Sequence, residues 1–114
     1  MSEISIEYMA GFFDGEGNVF MRDTLYKNGR THISDRLRIA NTDKDILDSI
    51  QKKFGGSVIT KKIYNYSKKP QWEWCVNGRF GLPIARLLHP ICIIKKIQLK
   101  KYIDRNKKNE RVIL

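Results

Sequence analysis

The alternation of polar and apolar side chains from Arg30 to Ala40 constrains the fold of this chain more than any other sequence feature. Polar side chains at even positions and mostly apolar ones at odd positions are typical of a half-buried β-strand. The preceding segment 18–26 alternates as well, and the turn 27–29 contains an Asn-Gly pair that favours a hairpin. We therefore predict two antiparallel strands here. Asp35 falls among the apolar positions, and no feature of the sequence explains it.

Helical patterns surround this hairpin, and a second strand pair follows it. Ser5 can cap a first helix that ends at the glycines after Asp14, and Thr42 can cap a second helix that ends at Gly55. The predicted helices cover residues 5–14, 43–54, 79–88 and 91–102, and the second strand pair covers 57–64 and 71–76. This order of elements predicts an α+β fold with an antiparallel sheet.

Length and composition are those of one globular domain. The chain has 114 residues, 41% hydrophobic and 30% charged, and we expect one domain over residues 1–103 followed by a charged tail over 104–114 that is frayed over 104–111. No apolar run approaches the roughly 18 residues of a transmembrane helix, and the acidic start predicts no secretory signal. The two cysteines form no CxxC pair, which argues against a zinc knuckle and favours free thiols in a reducing compartment.

Charge is distributed unevenly along the chain. The 22 basic and 12 acidic residues leave a formal net charge of +10. Residues 1–48 carry nine acidic and six basic side chains, whereas residues 49–114 carry three acidic and sixteen basic ones. This asymmetry favours a polyanionic partner over a small-molecule substrate. The alternative is that the lysines are ordinary solvated residues on helix surfaces.

Small and acidic residues are concentrated in segment 9–17, at the end of the first predicted helix. Ala10, Gly11 and Gly15 lie near helical i, i+4 spacing, which lets a second backbone approach closely. Asp14 and Glu16 lie where the helix ends, among glycines that leave the oxygens accessible. Such oxygen ligands suit Mg²⁺, which commonly takes one or two carboxylates together with water and phosphate. These residues alone leave a metal site and a plain glycine-rich turn equally open.

Segment 9–17, Met-Ala-Gly-Phe-Phe-Asp-Gly-Glu-Gly, together with Tyr8 resembles the signature of the LAGLIDADG homing endonucleases. The similarity continues through 39–43, through Phe-Gly-Gly at 54–56, and through 88–96, so it covers nearly the whole chain. It implies an αββαββα core whose saddle-shaped antiparallel sheet lies in the DNA major groove. The implied activity is site-specific cleavage of double-stranded DNA that leaves 3′ overhangs, and the implied cofactor is Mg²⁺ or another divalent cation.

The resemblance also implies roles for individual residues. Glu16 takes the place of the essential metal-binding acid, although many family members have aspartate there. Gly15 takes the place of the residue whose backbone carbonyl binds the metal. Lys95 takes the place of the lysine beside the scissile phosphate, with Lys96 as the alternative register. Asn41, at the end of the second strand, is the candidate for ordering active-site water.

Strand alternation and the resemblance together predict a DNA-binding face. Even-numbered positions of the first strand pair, most of them polar, share one side of the sheet, which we expect to contact base edges in the major groove. These residues are Asn18, Phe20, Arg22, Thr24, His32, Ser34, Arg36 and Arg38, and the predicted counterparts on the second strand pair are Thr60, Lys62, Gln71, Glu73 and Cys75. Trp72 and Trp74 share the opposite face of their strand and are expected in the core.

One copy of the signature supplies one acidic ligand, whereas cutting a duplex needs two sites. We therefore expect a homodimer whose signature helices pack across a twofold axis over a nearly palindromic target. The expected interface residues are Ala10, Gly11, Asp14 and Gly15.

Two other functions are compatible with the sequence. The first is an RNA maturase or a non-cleaving nucleic-acid-binding protein of the same fold. The second is a structural RNA-binding protein of ribosomal type, which needs no Gly-Glu-Gly at a helix end. For the endonuclease, we expect a role in intron homing and an intracellular location, either in a bacterial, phage or archaeal cytoplasm or in an organelle. We expect no membrane partner.

Overall fold

The computed structural model describes residues 3–61 and 70–107. The elements, in chain order, are helix α1 (Ile6–Glu16), strands β1 (Gly17–Phe20), β2 (Asp23–Leu25), β3 (Thr31–Ile33) and β4 (Arg36–Asn41), helix α2 (Lys44–Phe54), strands β5 (Ser57–Thr60) and β6 (Trp72–Asn77), a 3₁₀ turn (Gly78–Gly81), and helices α3 (Leu82–Leu88) and α4 (Lys96–Asn106). The predicted α+β fold is confirmed.

The strands form two separate sheets. The main sheet has four antiparallel strands in the order β1-β4-β6-β5, and β2 and β3 form a two-stranded sheet of their own. In the main sheet Asn18 lies opposite Arg38, which in turn lies opposite Cys75. The β2–β3 hairpin closes through the predicted Asn-Gly turn, where Gly29 takes a positive φ of 82°.

The hydrophobic core lies between one face of the main sheet and the helices. The sheet contributes the odd-numbered β4 side chains Leu37 and Ile39 and the even-numbered β6 side chains Trp74 and Val76. Buried side chains of all four helices pack against the same cluster: Met9, Phe13, Leu47, Ile50, Ile84, Leu88, Leu99 and Tyr102. Trp74 is fully buried and donates from Nε1 to the carbonyl of Gly55 at 2.8 Å, and Trp72 packs against the cluster while half-buried. The predicted core role of these two side chains is confirmed.

Both strands of the predicted first hairpin are interrupted. The expected strands 18–26 and 30–40 break at Met21–Arg22 and at Ser34–Asp35, so that β1 and β4 belong to one sheet and β2 and β3 to another. Asp35 causes the break at Ser34–Asp35, because its carboxylate is buried and accepts hydrogen bonds from other parts of the chain. These hydrogen bonds hold the Asp35 side chain in a position that a regular strand does not allow.

The helix limits differ from the predicted ones by small amounts. Asp43, rather than Thr42, caps α2, since its Oδ1 accepts from the backbone N–H groups of Asp45 and Ile46. The last helix begins at Lys96 instead of Ile91 and continues to Asn106. The predicted fraying of the tail is therefore wrong for residues 104–106, and residues 108–114 lie outside the described part of the chain.

Candidate functional site

The C-terminal end of α1 places two carboxylates two residues apart in different environments. The helix is capped at its start by Ser5, as predicted, and ends at Glu16 with no basic residue in its last turn. The partial negative charge of a helix C-terminus favours a nearby cation over an acid. The next residue, Gly17, begins β1 and lies so close to Phe13 that an added Cβ would clash with it.

Asp14 is used to build the structure. Its Oδ2 accepts the backbone N–H of Ile93 at 2.7 Å, and its Oδ1 accepts that of Lys95 at 3.0 Å. Burial alone raises the pKa of Asp14, but the hydrogen bonds from these backbone N–H groups outweigh it and bring the pKa below its usual value. Asp14 therefore caps the turn 93–95, and both of its carboxylate oxygens are occupied by these contacts.

Lys95 is brought to the end of α1 by the same contacts. It is half-buried, and its ammonium donates to the carbonyl oxygen of Asp14 at 3.1 Å. Lys96, the alternative register, is exposed in the first turn of α4. Lys95, rather than Lys96, therefore lies beside the end of α1, where Glu16 is also located.

Glu16 is exposed at the rim of an open pocket of about 240 Å³. The pocket is lined by Glu16, Asn18, Arg38, Ala40, Lys61 and Glu73. Within residues 3–61 and 70–107, no hydrogen bond or salt bridge engages the Glu16 carboxylate. Glu16 is therefore available to a ligand, in contrast to Asp14, and it shares its pocket with a second carboxylate and two cationic side chains.

Asn41 is not in this pocket. It pairs with Trp72 on the side of β4 that also carries Ile39, and its Oδ1 accepts the backbone N–H of Asp43 at 2.8 Å. Strand alternation turns Ala40 toward Glu16 instead. The side-chain oxygen of Asn41 instead initiates the turn into α2, and the expected place of Asn41 in the active site stays a prediction.

The open face of the main sheet carries half of the predicted DNA-binding residues of the first strand pair. Asn18, Phe20, Arg36 and Arg38 share it, and Asn18 Oδ1 accepts from Arg38 Nη2 at 3.0 Å. The Arg38 guanidinium carbon lies 4.6 Å from the centre of the Phe20 ring, and that of Arg36 lies 5.9 Å from it. These contacts hold the Arg38 side chain in place before any partner arrives.

The other half of that predicted set lies elsewhere. Thr24 and His32 face each other across the β2–β3 hairpin. Arg22 and Ser34 lie at the strand breaks, where the Ser34 N–H donates to the Arg22 carbonyl at 2.8 Å. The predicted continuous face is therefore divided between the main sheet and a hairpin that projects from it.

The register of β5 corrects the second strand pair. Ser57 lies opposite Cys75 and Ile59 opposite Glu73, so these odd positions and not Thr60 share the open face. Thr60 pairs with Trp72 on the core side. Lys62 lies outside the described residues. The neighbouring Lys61 lines the pocket that contains Glu16.

Glu73 and Cys75 lie on the open face of β6, as predicted. Gln71 precedes β6 by one residue, and its backbone carbonyl accepts the N–H of Lys61 at 2.8 Å. Burial raises the pKa of the half-buried Cys75 thiol, which keeps it neutral. Cys92 is buried, donates to the carbonyl of Ala10 at 3.4 Å, and has its pKa raised to about 12, chiefly by burial.

Two glycines of α1 are open to solvent, whereas Ala10 is not. Ala10 is 1% exposed and belongs to the core of its own chain, so its expected place at an interface is wrong. A Cβ added to Gly11 or Gly15 would meet no atom within 4 Å. The fold of one chain therefore gives no reason for glycine at either position.

Comparison with known proteins agrees with this geometry. Residues 9–107 match the family model described as LAGLIDADG endonuclease. The chain therefore belongs to the LAGLIDADG endonuclease family. A search of curated protein sequences finds no match. No helix in the described part of the chain is long and apolar enough to cross a membrane.

Several solved structures have the same fold. The homing endonuclease I-CvuI, in complex with the I-CreI target and Mg, is 25% identical with a TM-score of 0.73 over 90% of this chain and 66% of its own. The archaeal intron-encoded I-Vdi141I bound to DNA is 16% identical with a TM-score of 0.76, over 90% of this chain and 66% of its own. A K262A mutant of I-SmaMI is 21% identical with a TM-score of 0.70, over 94% of this chain and 39% of its own.

Proposed function

We propose that this protein is a site-specific DNA endonuclease that cuts both strands of a nearly palindromic target as a homodimer. The observation that carries the proposal is the exposed Glu16 carboxylate at the end of α1, in a pocket continuous with the Arg38 side of the open sheet face. The family membership and the DNA-bound relatives support a duplex partner for that face. From the resemblance to the LAGLIDADG homing endonucleases, the proposal also includes cleavage that leaves 3′ overhangs and a role in intron homing.

The donor set at the end of α1 fits Mg²⁺. No group of three or more His, Cys, Asp or Glu side chains gathers in the described residues, so one chain offers few protein ligands. Mg²⁺ commonly takes one or two carboxylates and keeps water and phosphate for the rest. Glu16, with the backbone carbonyl of Gly15, would hold the ion, and Glu73 lines the same pocket. When bound, Mg²⁺ supplies positive charge against the charge that develops in phosphodiester hydrolysis.

The protein's own side chains supply position and charge. Asp14 fixes the turn 93–95, and that turn presents the Lys95 ammonium at the end of α1. In our proposal this ammonium lies beside the scissile phosphate and stabilises its negative charge. Arg38 and Lys61 neutralise phosphate or contact base edges at the same end of the sheet.

Two observations support the homodimer. Open space beside Gly11 and Gly15 lets a second α1 approach at backbone distance. Large apolar side chains are exposed beside them, because Asp14 ties the turn that carries Ile93 and Ile94 to the end of α1. The most exposed side chains of this group are Ile93 (85%), Ile97 (72%) and Ile94 (66%). A second copy would cover them and bring a second Glu16 to the duplex.

Gly11→Leu tests the dimer separately from the fold. The monomer has room for the side chain, and leucine favours a helix more than glycine does, so thermal unfolding should not move downward at a protein concentration where the wild type is monomeric. The bulk should force two α1 helices apart and abolish double-strand cleavage. Sedimentation of the DNA complex measures the stoichiometry, and one protomer on a cleavable duplex would contradict the dimer.

Glu16→Gln tests the nuclease activity. The change keeps the shape of the side chain but removes the charge that would hold the cation, so cleavage should fall by at least about 10²-fold. Binding to the same DNA should survive, because a carboxylate near phosphate is repulsive. The targets would be recovered from a randomised palindromic duplex library with Mg²⁺.

Glu7→Gln is the matched control, since Glu7 is an exposed acid in the first turn of the same helix. It should leave cleavage unchanged. Cleavage by Glu16→Gln at the wild-type rate would remove this residue from the mechanism. A wild-type protein that binds its selected duplex tightly and never cuts it would instead show a non-cleaving member of the family.

A further inference from the structure

A buried ionic cluster lies where the β2–β3 hairpin leaves the main sheet. The Asp35 carboxylate is 0% exposed and accepts from Arg105 Nε at 2.7 Å, from Arg105 Nη2 at 2.9 Å, and from Asn106 Nδ2 at 2.9 Å. It also accepts the backbone N–H of Arg22 at 3.2 Å. Asp35 thus joins the last turn of α4 to both strand breaks of the hairpin.

The Arg105 guanidinium extends this cluster into the hairpin itself. Its Nη2 donates to Oδ1 of Asp23, the first residue of β2, at 2.8 Å. One planar fork therefore binds a buried carboxylate at the start of β4 and an exposed one at the start of β2. Hydrogen bonds to these two carboxylates raise the pKa of Arg105, so its charge is permanent in the folded protein.

A buried ion pair of this kind is a weak source of stability, because desolvation offsets much of the attraction. Its directional bonds do fix geometry. The hairpin belongs to a separate sheet, and its described hydrogen bonds to the body of the protein lie at this base: the Asp35 and Arg105 side-chain contacts and the bond from the Gly78 N–H to the Asp35 carbonyl. The angle at which the hairpin projects is therefore set at this cluster.

The hairpin lies farther from the cleavage site than the main sheet does. β1 starts directly after Glu16, and at about 3.3 Å per residue its last residue, Phe20, is about 10 Å further along. The hairpin begins beyond Phe20 and carries Thr24 and His32, which face each other across its two strands. On a duplex that lies along the open face, side chains on the hairpin would reach base pairs outside those within reach of Arg38.

We propose that Arg105 is a positioning residue for target recognition: through Asp23 and Asp35 it sets the orientation of the β2–β3 hairpin and thereby the reading of base pairs at the outer ends of the target. The role rests on the proposed DNA-binding function. Arg105 itself lies in α4, and it acts through the hairpin.

Asp23→Ala is the sharpest test, because it removes the hairpin arm of the cluster and leaves the buried Asp35–Arg105 pair intact. The side chain of Asp23 is 58% exposed, so the fold should survive. Amide hydrogen exchange of the free protein should become several-fold faster across segment 23–33 and stay unchanged across β4. Asp104→Ala is the matched control: it makes the same charge change at an exposed acid of α4 paired with Lys100, and it should leave segment 23–33 unaffected.

The second measurement is the base preference at each target position, from a library of duplex variants. Asp23→Ala and Arg105→Lys should lose several-fold of discrimination at outer positions and keep that at inner positions, whereas Asp104→Ala should keep both. Unchanged exchange in segment 23–33, or an equal loss at all positions, would overturn the positioning role. Faster exchange with an unchanged preference profile would also overturn it. If the wild-type protein selects no duplex at all, the proposed function fails first, and the exchange result still shows whether Arg105 orients the hairpin.

Discussion

Each end of α4 is held by hydrogen bonds to a carboxylate from a distant segment, but the donors are backbone N–H groups at the first end and side chains at the second. At the first end Asp14 of α1 accepts backbone N–H groups from residues 93 and 95. At the second end Asp35, between β3 and β4, accepts side-chain donors from Arg105 and Asn106. The first end presents Lys95 to the proposed active site, and the second orients the hairpin proposed to read DNA.

The difference shows how each end depends on sequence. Backbone donors exist at every residue except proline, so the Asp14 contact requires only the acid itself and the path of the turn. The Asp35 cluster requires Arg105 and Asn106 by identity, because their side chains provide the donors. The Asp35 carboxylate is also fully buried, so we expect that breaking its hydrogen bonds lowers the free energy of unfolding more than breaking those of Asp14.

Asp35→Ala should have the largest effect on stability. It leaves the Arg105 fork and the Asn106 amide without their acceptor at a buried position, which typically costs about 3–5 kcal/mol. Urea denaturation measures the change. Asp48→Ala is the control, since the Asp48–Lys44 pair is exposed and its loss should cost less than about 1 kcal/mol. Equal losses in the two variants would remove the contrast between the ends of α4.

Asp14→Asn should have the second largest effect. The amide keeps one acceptor, but its N–H₂ group faces a backbone N–H donor, and a loss of about 1–3 kcal/mol is expected. Cleavage should fall more than DNA affinity, because the turn that presents Lys95 loosens while the open sheet face is unchanged. A variant that loses affinity and cleavage in parallel would show that the first end of α4 also supports DNA binding.

Tyr102→Phe should have a smaller effect at the second end. The buried Tyr102 hydroxyl donates to the carbonyl of Gly78, beside the cluster. Its removal leaves that carbonyl without this donor and should cost about 1 kcal/mol. The Asp35 contacts should survive, so exchange in segment 23–33 should match wild type. A loss as large as that of Asp35→Ala would mean that the tyrosine, and not the carboxylate, anchors this end.

The smallest expected effect is a difference in acid stability between wild type and Asp14→Asn. Because hydrogen bonds bring the folded pKa of Asp14 below its usual value, its ionised form stabilises the fold above the unfolded pKa of about 3.8. That contribution is lost as the pH falls through the lower folded pKa. Unfolding curves at a series of pH values below 5 should therefore converge for the two proteins. A constant gap between them would contradict the lowered pKa.

Local sequence patterns were sufficient for much of the molecule. Alternation in residues 30–40 assigned Leu37 and Ile39 to the core and Arg36 and Arg38 to the open face. The signature also placed Glu16 where α1 ends. These features depend on periods of a few residues and on glycine stops, which neighbouring residues determine by themselves.

Tertiary contacts decided the rest. Asp35 breaks its strand because Arg105, 70 positions later, holds its carboxylate, and α4 starts late because Asp14, 81 positions before Lys95, takes that residue's N–H. The register of β5, the exclusion of Asn41 from the pocket and the burial of Ala10 likewise depend on partners outside their own segment. The sequence alone determined which residues alternate, turn and end helices, since those choices are local. Where buried polar groups find their partners was decided only when distant segments packed together.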